Sequence, residues 1–173
     1  MKPAQSPRGE AKEVPICLRS SPRAADRAAV EEILSSTDLF YACEVDIALW
    51  LLDEGISDGD DSCYHFLFAD RGKETVGYIC FGPITMTDNR FDVYWIAVRK
   101  DLQGNGVGGM ILREGEKKIR GLGGKVVYIE TSSRNDYRPT LAFYRGQHYV
   151  EVAHIPDFYR DGDGKIILMK RLA

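Results

Sequence analysis

Four glycines fall within the six residues Gly104-Asn105-Gly106-Val107-Gly108-Gly109, between an apolar run that ends at Val98 and an amphipathic stretch that begins at Val107. A turn with so few Cβ atoms lets consecutive backbone N–H groups converge on one ligand, at the positive end of the helix that follows. The chemistry this suits is anion binding, most simply of a phosphate. The same residues match the dinucleotide fingerprint G-x-G-x-x-G, and Glu130 lies about 20 residues further on. A nicotinamide-dependent oxidoreductase is therefore one reading of the turn. Against it, Arg99 to Gln103 separate the apolar run from the first glycine, and about a hundred residues precede a unit that normally opens its domain.

The elements around the turn follow from periodicity and breakers. Ile16 to Arg19 reads as a short strand, Ala24 to Leu34 as a helix, and Glu44 to Gly55 as an amphipathic helix broken by Gly55. The acidic stretch Ser57 to Ser62 reads as a solvated loop without the ligand spacing of a calcium site. Tyr64 to Ala69 and Thr75 to Phe81 form a hairpin about Asp70-Arg71-Gly72-Lys73, and Phe91 to Val98 adds a third strand. Val107, Ile111, Gly115, Ile119 and Leu122 then recur at helical spacing until Gly121, Gly123 and Gly124 end the helix. Lys125 to Thr131 is a near-continuous apolar strand reached by that crossover, and so runs parallel to Phe91–Val98. A short helix over Thr140–Gln147, strands at Tyr149–Ala153 and Ile166–Lys170, and a solvated turn at Asp161–Gly164 complete the chain.

At 173 residues and 44% hydrophobic content, the chain fits one domain with an ordinary core. Residues 1–15 mix Lys, Pro, Ser, Gly and Glu without periodicity and read as a disordered tail, leaving 16–173 as the domain. A formal charge of −3, with scattered basic residues, gives no electrostatic footprint for nucleic acid. Cys17, Cys43, Cys63 and Cys80 are widely spaced and only three histidines accompany them, so buried free thiols and no metal are expected. No apolar run of 18 residues exists and the N-terminus lacks a signal-peptide core, so a soluble, cytoplasmic protein without membrane contact is expected.

When Gln103 is included, Gln103-x-x-Gly106-x-Gly108 resembles the pyrophosphate-binding signature of the GNAT superfamily of acetyl-CoA-dependent N-acetyltransferases, (Arg/Gln)-x-x-Gly-x-(Gly/Ala). Ile96-Ala97-Val98 resembles the hydrophobic-x-Val end of the strand before that signature, and the element order β-α-α-β-β-β-α-β-α-β-β resembles the GNAT fold from Ile16 onward. The resemblance implies an α/β (α+β) fold: a mixed sheet of about six or seven strands, splayed between the fourth and fifth, with about four helices. It implies acetyl-CoA as co-substrate, with Gln103, Gly104, Asn105, Gly106, Val107, Gly108 and Gly109 around the pyrophosphate, and Ile96, Ala97 and Val98 along the pantetheine arm. The Val98 N–H would hydrogen-bond the thioester oxygen as charge develops there.

Tyr144, in Leu141-Ala142-Phe143-Tyr144-Arg145, is similar to the tyrosine whose hydroxyl reaches the cofactor sulfur in these enzymes, so the resemblance makes it the acid. The family pattern places Asn seven residues before this tyrosine and Ala four before it, where this chain has Tyr137 and Thr140; Asn135 is the candidate to supply the missing amide. Asp92 matches the position of the glutamate base of the histone-type members, and Glu130 is a second carboxylate near the same cleft. Strand alternation puts Asp92, Tyr94, Ile96 and Val98 on one face, with Val93, Trp95 and Ala97 on the other.

A base matters because a lysine-like amine, with a pKa near 10.4, costs about 4.6 kcal/mol to neutralise at pH 7. The expected activity is direct acetyl transfer in a ternary complex to a primary amine on a small molecule or a protein, with Asp92, Glu130 and Asp157 as acids that could meet it. His148 and His154 read as surface or structural residues. An acyl-CoA-binding module with little turnover is the alternative, suggested by the altered residues before Tyr144, and a homodimer is compatible with the family.

Overall fold

The helix after the glycine turn carries the chain between two parallel neighbours of one sheet, and the rest of the molecule is laid around that crossover. The computed structural model describes residues 14–172; most of the expected N-terminal tail, residues 1–13, lies outside them. The elements are β1 (Ile16–Arg19), α1 (Asp26–Ser36), α2 (Ala42–Asp58), β2 (His65–Arg71), β3 (Glu74–Pro83), β4 (Arg90–Val98), α3 (Val107–Gly121), β5 (Val126–Ser132), α4 (Arg138–Gly146), β6 (Val150–Arg160) and β7 (Asp163–Arg171). They form one seven-stranded sheet in the order β1-β2-β3-β4-β5-β7-β6, in which β4 and β5 pair parallel and the other described neighbours antiparallel.

Each face of the sheet carries its own core. On one, α3 and α4 bury Ile111, Leu112, Ile119 and Leu141 against Ile79, Phe81, Val93, Val127 and Ile129. Val107, Ile111, Gly115 and Ile119 face inward at the expected spacing, and Gly115 admits Ile79, whose Cδ1 would stand 3.1 Å from an added Cβ. On the other face, α1 and α2 bury Val30, Ile33, Leu34 and Leu52 against Phe66, Phe68 and Tyr78. Arg19 ties the edge of the sheet to α1, donating to Asp70 at 2.9 Å and to Asp26 at 2.8 Å while stacking 4.5 Å above the Phe68 ring.

Several expectations are corrected. Gly55 does not break α2, which runs on to Asp58; the glycine is needed because an added Cβ would lie 2.4 Å from Phe66 Cε2. The acidic stretch after it is the helix end followed by a short 3-10 turn at Gly59–Asp61. Helix α4 begins at Arg138, with Pro139 inside its first turn, where a missing N–H costs nothing. Strand β6 runs well past Ala153 to Arg160, with register breaks after Glu151 and Ile155 that blur its alternation. Asp163 is not a solvated turn residue but a buried start to β7, accepting a hydrogen bond from Ser132 Oγ at 2.5 Å. Of the cysteines only Cys80 is buried, and burial pushes its thiol pKa up; Cys17, Cys43 and Cys63 are exposed.

Candidate active site

The site begins where β4 and β5 part. Their pairing covers only Arg90–Val93 against Val126–Ile129, after which β5 continues alongside β7. At the same level the β3–β4 register slips: Cys80 lies opposite Trp95 and Phe81 opposite Val93, which leaves Tyr94 as the extra residue of a bulge. The bulge overturns the expected alternation. Phe91, Val93, Ile96 and Val98 pack toward α3, whereas Tyr94, Trp95 and Ala97 pack toward α1 and α2, and Asp92 alternates with Phe91 and Val93 onto that second face.

Backbone direction decides which β4 groups face the gap. The Arg99 N–H donates to the Val76 carbonyl of β3 at 2.9 Å. Successive residues of a strand direct their N–H and C=O groups to opposite edges, so those of Val98 and Ile96 point into the gap. Ala97 lies in the β3 ladder opposite Tyr78, with its side chain buried, and has no free group to offer. The Val98 carbonyl is already taken by the Gln103 side chain, whose Nε2 donates to it at 3.0 Å.

That bond folds the glycine turn back against the end of β4. Residues Lys100–Leu102 make one 3-10 turn, after which Gly104 and Gly106 take φ of +77° and +82°, conformations that favour glycine. Gly106 caps α3, and the first helical bond runs from the Met110 N–H to the Gly106 carbonyl at 3.0 Å. The N–H groups of Val107, Gly108 and Gly109 therefore have no helical acceptor. No acidic side chain occupies this first turn, so its positive end is open to an anion. Gln103, Gly104, Asn105 and Gly106 are exposed beside it.

Tyr144 lies on α4, buried with its ring 5.2 Å from that of Phe143 and 6.0 Å from that of Tyr149. Burial, with Tyr137 adding to it, pushes the phenol pKa well above its ordinary value, so the hydroxyl keeps its proton at neutral pH. Tyr149 is held in turn by buried Glu116, which accepts from its hydroxyl at 3.1 Å and from Lys170 at 2.7 and 2.8 Å. Asn135 is exposed at the start of the turn that precedes α4, and Tyr137 is buried with its hydroxyl 3.4 Å from the Leu39 carbonyl.

Asp92 and Glu130 stand on the α1/α2 face, on either side of the line along which β4 and β5 diverge; Glu130 alternates with Val127 and Ile129, which pack toward α3. Burial, reinforced by Glu130 and opposed by Lys165, raises the Asp92 carboxyl to about 6. Glu130 is exposed and accepts from Lys165 Nζ at 2.6 Å. Asp157 is engaged elsewhere, accepting the Gly162 N–H at 2.7 Å across the β6–β7 hairpin. His148 is exposed beyond α4 and His154 lies against Gly164 on β6. Sequence reasoning missed Lys165 and Arg134. Lys165 sits opposite Ser132 in the β5–β7 ladder, and Arg134 donates to the Leu39 carbonyl at 3.0 Å, joining the α1–α2 loop to the end of β5. A cavity of about 650 Å³ at the start of β2, bordered by Ser20, His65 and Lys118, contains none of the expected site residues.

Among the described residues, no helix is long and apolar enough to cross a membrane. A splayed mixed sheet with a glycine turn at the mouth of the splay defines a class of acyltransferase folds, and comparison with known proteins agrees. The profile of the Acetyltransferase (GNAT) family matches residues 28–149, and the chain belongs to that family. The crystal structure of a protein described as an acetyltransferase of the GNAT family, from Desulfovibrio desulfuricans, superposes with a TM-score of 0.89 at 35% identity, covering 92% of this chain and 100% of that one. Two more distant structures share the fold. The ribosomal-protein-S18-alanine N-acetyltransferase of Escherichia coli has a TM-score of 0.72 at 16% identity, covering 91% of this chain and 94% of its own. The PaiA N-acetyltransferase of Thermoplasma acidophilum, solved with coenzyme A, has a TM-score of 0.70 at 16% identity, with coverage of 91% and 99%. No curated protein sequence matches the chain. The dinucleotide-oxidoreductase reading is thereby set aside: the glycine turn follows a 3-10 turn rather than a strand end, in a sheet with a single described parallel pair.

Proposed function

We propose that this GNAT acetyltransferase moves an acetyl group from acetyl-CoA directly to a primary amine while both are bound. The observation that carries the reading is the Gln103–Val98 hydrogen bond, which joins an anion-binding turn to the open edge of β4. The Val107, Gly108 and Gly109 N–H groups, with Gln103 to Gly106 around them, would hold the pyrophosphate. The free N–H and C=O groups of Ile96 and the Val98 N–H would line the pantetheine arm, and Asn135 would stand where the family places its amide.

Each chemical demand then has a residue. The Val98 N–H stabilises the carbonyl oxygen as the amine nitrogen bonds to the acetyl carbon and the carbon–sulfur bond breaks. The Tyr144 hydroxyl, kept protonated by burial, gives its proton to the departing sulfur. Asp92, ionised above about pH 6, takes the proton lost by the amine, with Glu130 beside it paired to Lys165. No acyl-enzyme is involved. The enzyme is read as cytoplasmic, contained within residues 16–173, and acting without nucleic acid, membrane or metal. Homodimerisation is compatible with this reading.

The substitutions at Tyr137 and Thr140 favour one second reading, an acyl-CoA-binding module with little turnover. Thiol release from acetyl-CoA in the presence of a panel of primary amines, with mass detection of the acetylated product, separates the two. Amine-dependent release supports catalysis; saturable acetyl-CoA binding with no release above the buffer rate contradicts it.

A further inference from the structure

The face that carries Asp92 and Glu130 is walled by rings. Gly82 lies directly across the ladder from Asp92, and the Cys63 carbonyl and the Tyr94 ring cover it together, the carbonyl oxygen 2.4 Å and the ring Cε2 3.1 Å from where a Gly82 Cβ would be. The Tyr94 ring meets that of Tyr64 edge to face at 5.5 Å, and Tyr64 meets Trp50 at 6.4 Å. Trp50 is 51% exposed although its neighbours Leu49, Leu51 and Leu52 are buried, so an indole sits at the open end of the row. On the far side of the carboxylates, Lys165 lies 3.8 Å from the Phe158 ring centroid while it bonds Glu130.

The two carboxylates are therefore not equivalent. Glu130 is neutralised by Lys165, whereas Asp92 has no hydrogen-bond or ion-pair partner among the described residues and is more deeply placed. A free anionic group at the inner end of a row of aromatic rings suits a ligand with an ammonium at one end and an apolar, preferably aromatic, body at the other. The ring faces add attraction for the cation as well as contact area for the body.

We propose that the acceptor is an arylalkyl primary amine, its nitrogen at Asp92 and its ring along Tyr94, Tyr64 and Trp50. This rests on the N-acetyltransferase reading above. It selects among amines by the length of apolar body that can follow the ammonium along the wall. Ethylamine reaches Asp92 but leaves the rings uncovered, and spermidine must strip water from a second cation to lie against them. A free amino acid brings its carboxylate toward Asp92 when its α-amine binds there, a like-charge contact that opposes binding.

The test is thiol release at saturating acetyl-CoA with phenethylamine, tryptamine, ethylamine, spermidine, lysine and an alanyl tripeptide. Phenethylamine and tryptamine should show kcat/KM at least about tenfold above ethylamine, the size expected of a filled apolar pocket. Trp50→Ala should cut the phenethylamine-to-ethylamine preference by about tenfold, acting on KM rather than kcat. Trp50 is half exposed, so the variant should fold, and an acetyl-CoA-induced thermal shift equal to that of the wild type checks this. Tyr64→Leu, which keeps bulk but removes the middle ring, should lower the same preference. Equal kcat/KM for ethylamine and phenethylamine, a faster reaction with spermidine, lysine or the peptide, or a preference unchanged in both variants would overturn the assignment of acceptor and leave N-acetyl transfer standing. Absence of release with every amine, despite acetyl-CoA binding, would instead overturn the transferase reading on which it rests.

Discussion

Asp92 and Val98 lie six residues apart on one strand yet present their side chains to opposite faces of the sheet, because the bulge at Tyr94 adds a residue between them. In the proposed reaction the displacement has a use. It leaves the Asp92 carboxylate on the α1/α2 face while the Val98 N–H stays in the gap, so an amine and a thioester can approach the same point from different directions. A regular strand would have packed Asp92 on the α3 side, among Ile111, Leu112 and Ile119.

Asp92→Asn should lower kcat/KM by about 10²–10⁴, the range of a positioned general base. In the wild type, kcat/KM should rise with pH through about 6 as Asp92 ionises. In the variant that limb should vanish. A loss of rate with the limb retained would assign the titration to another group.

The same substitution should stabilise the fold. The Asp92 carboxyl is raised from 3.8 to about 6 by burial and by Glu130, so the folded state binds its proton more tightly than the unfolded state. The resulting destabilisation is fully present above pH 6 and disappears below 3.8. Removing the charge should add on the order of 1–2 kcal/mol at pH 7.5 after allowance for solvent screening, and raise Tm by a few degrees. Thermal melts at pH 7.5 and pH 4 check the sign: the gain should be present at the first and nearly absent at the second.

Tyr144→Phe removes one hydroxyl from a buried ring that packs between Phe143 and Tyr149. Turnover should fall about 10²-fold or more, with acetyl-CoA affinity within about twofold of wild type. Binding by calorimetry beside single-turnover rates would show it, and an unchanged rate would remove Tyr144 from the reaction.

Gly106→Ala meets no atom within 4 Å, but it must adopt φ of +82° at the cap of α3. The cost is about 1–2 kcal/mol of backbone strain. Since that strain acts on the N–H groups proposed to hold the pyrophosphate, acetyl-CoA should bind about tenfold more weakly. Gly121→Ala, at the exposed end of the same helix with nothing within 4 Å and an ordinary negative φ, is the control and should bind normally.

Much of this was legible in the residues themselves. Glycines, polar turns and apolar runs are local signals, and they marked the strand and helix order and the crossover that makes β4 and β5 parallel. What alternation could not reveal was the bulge, which is set by how β4 pairs with β3 at Cys80 and Phe81. Gly55 reads locally as a breaker, yet its reason is the Phe66 ring on another element. Strand β6 is exposed along most of its length, so hydrophobic patterning could not trace it to Arg160. In the candidate site, the resemblance to the GNAT family singled out Asp92, Gln103 and Tyr144, and Glu130 was singled out as a carboxylate near the end of the neighbouring strand. Lys165 was not, because its pairing with Glu130 spans 35 residues and exists only once β7 lies beside β5.

Thermal unfolding with acetyl-CoA, CoA and NADH in turn is the most direct test that the glycine turn and the β4–β5 gap form an acyl-CoA site. A ligand present at about 100 times its Kd adds roughly 2.7 kcal/mol, which at this size moves Tm by about 5–10 °C. Acetyl-CoA and CoA should each give such a shift and NADH none. A shift with NADH alone, or with none of the three, would contradict the assignment of this turn to acetyl-CoA.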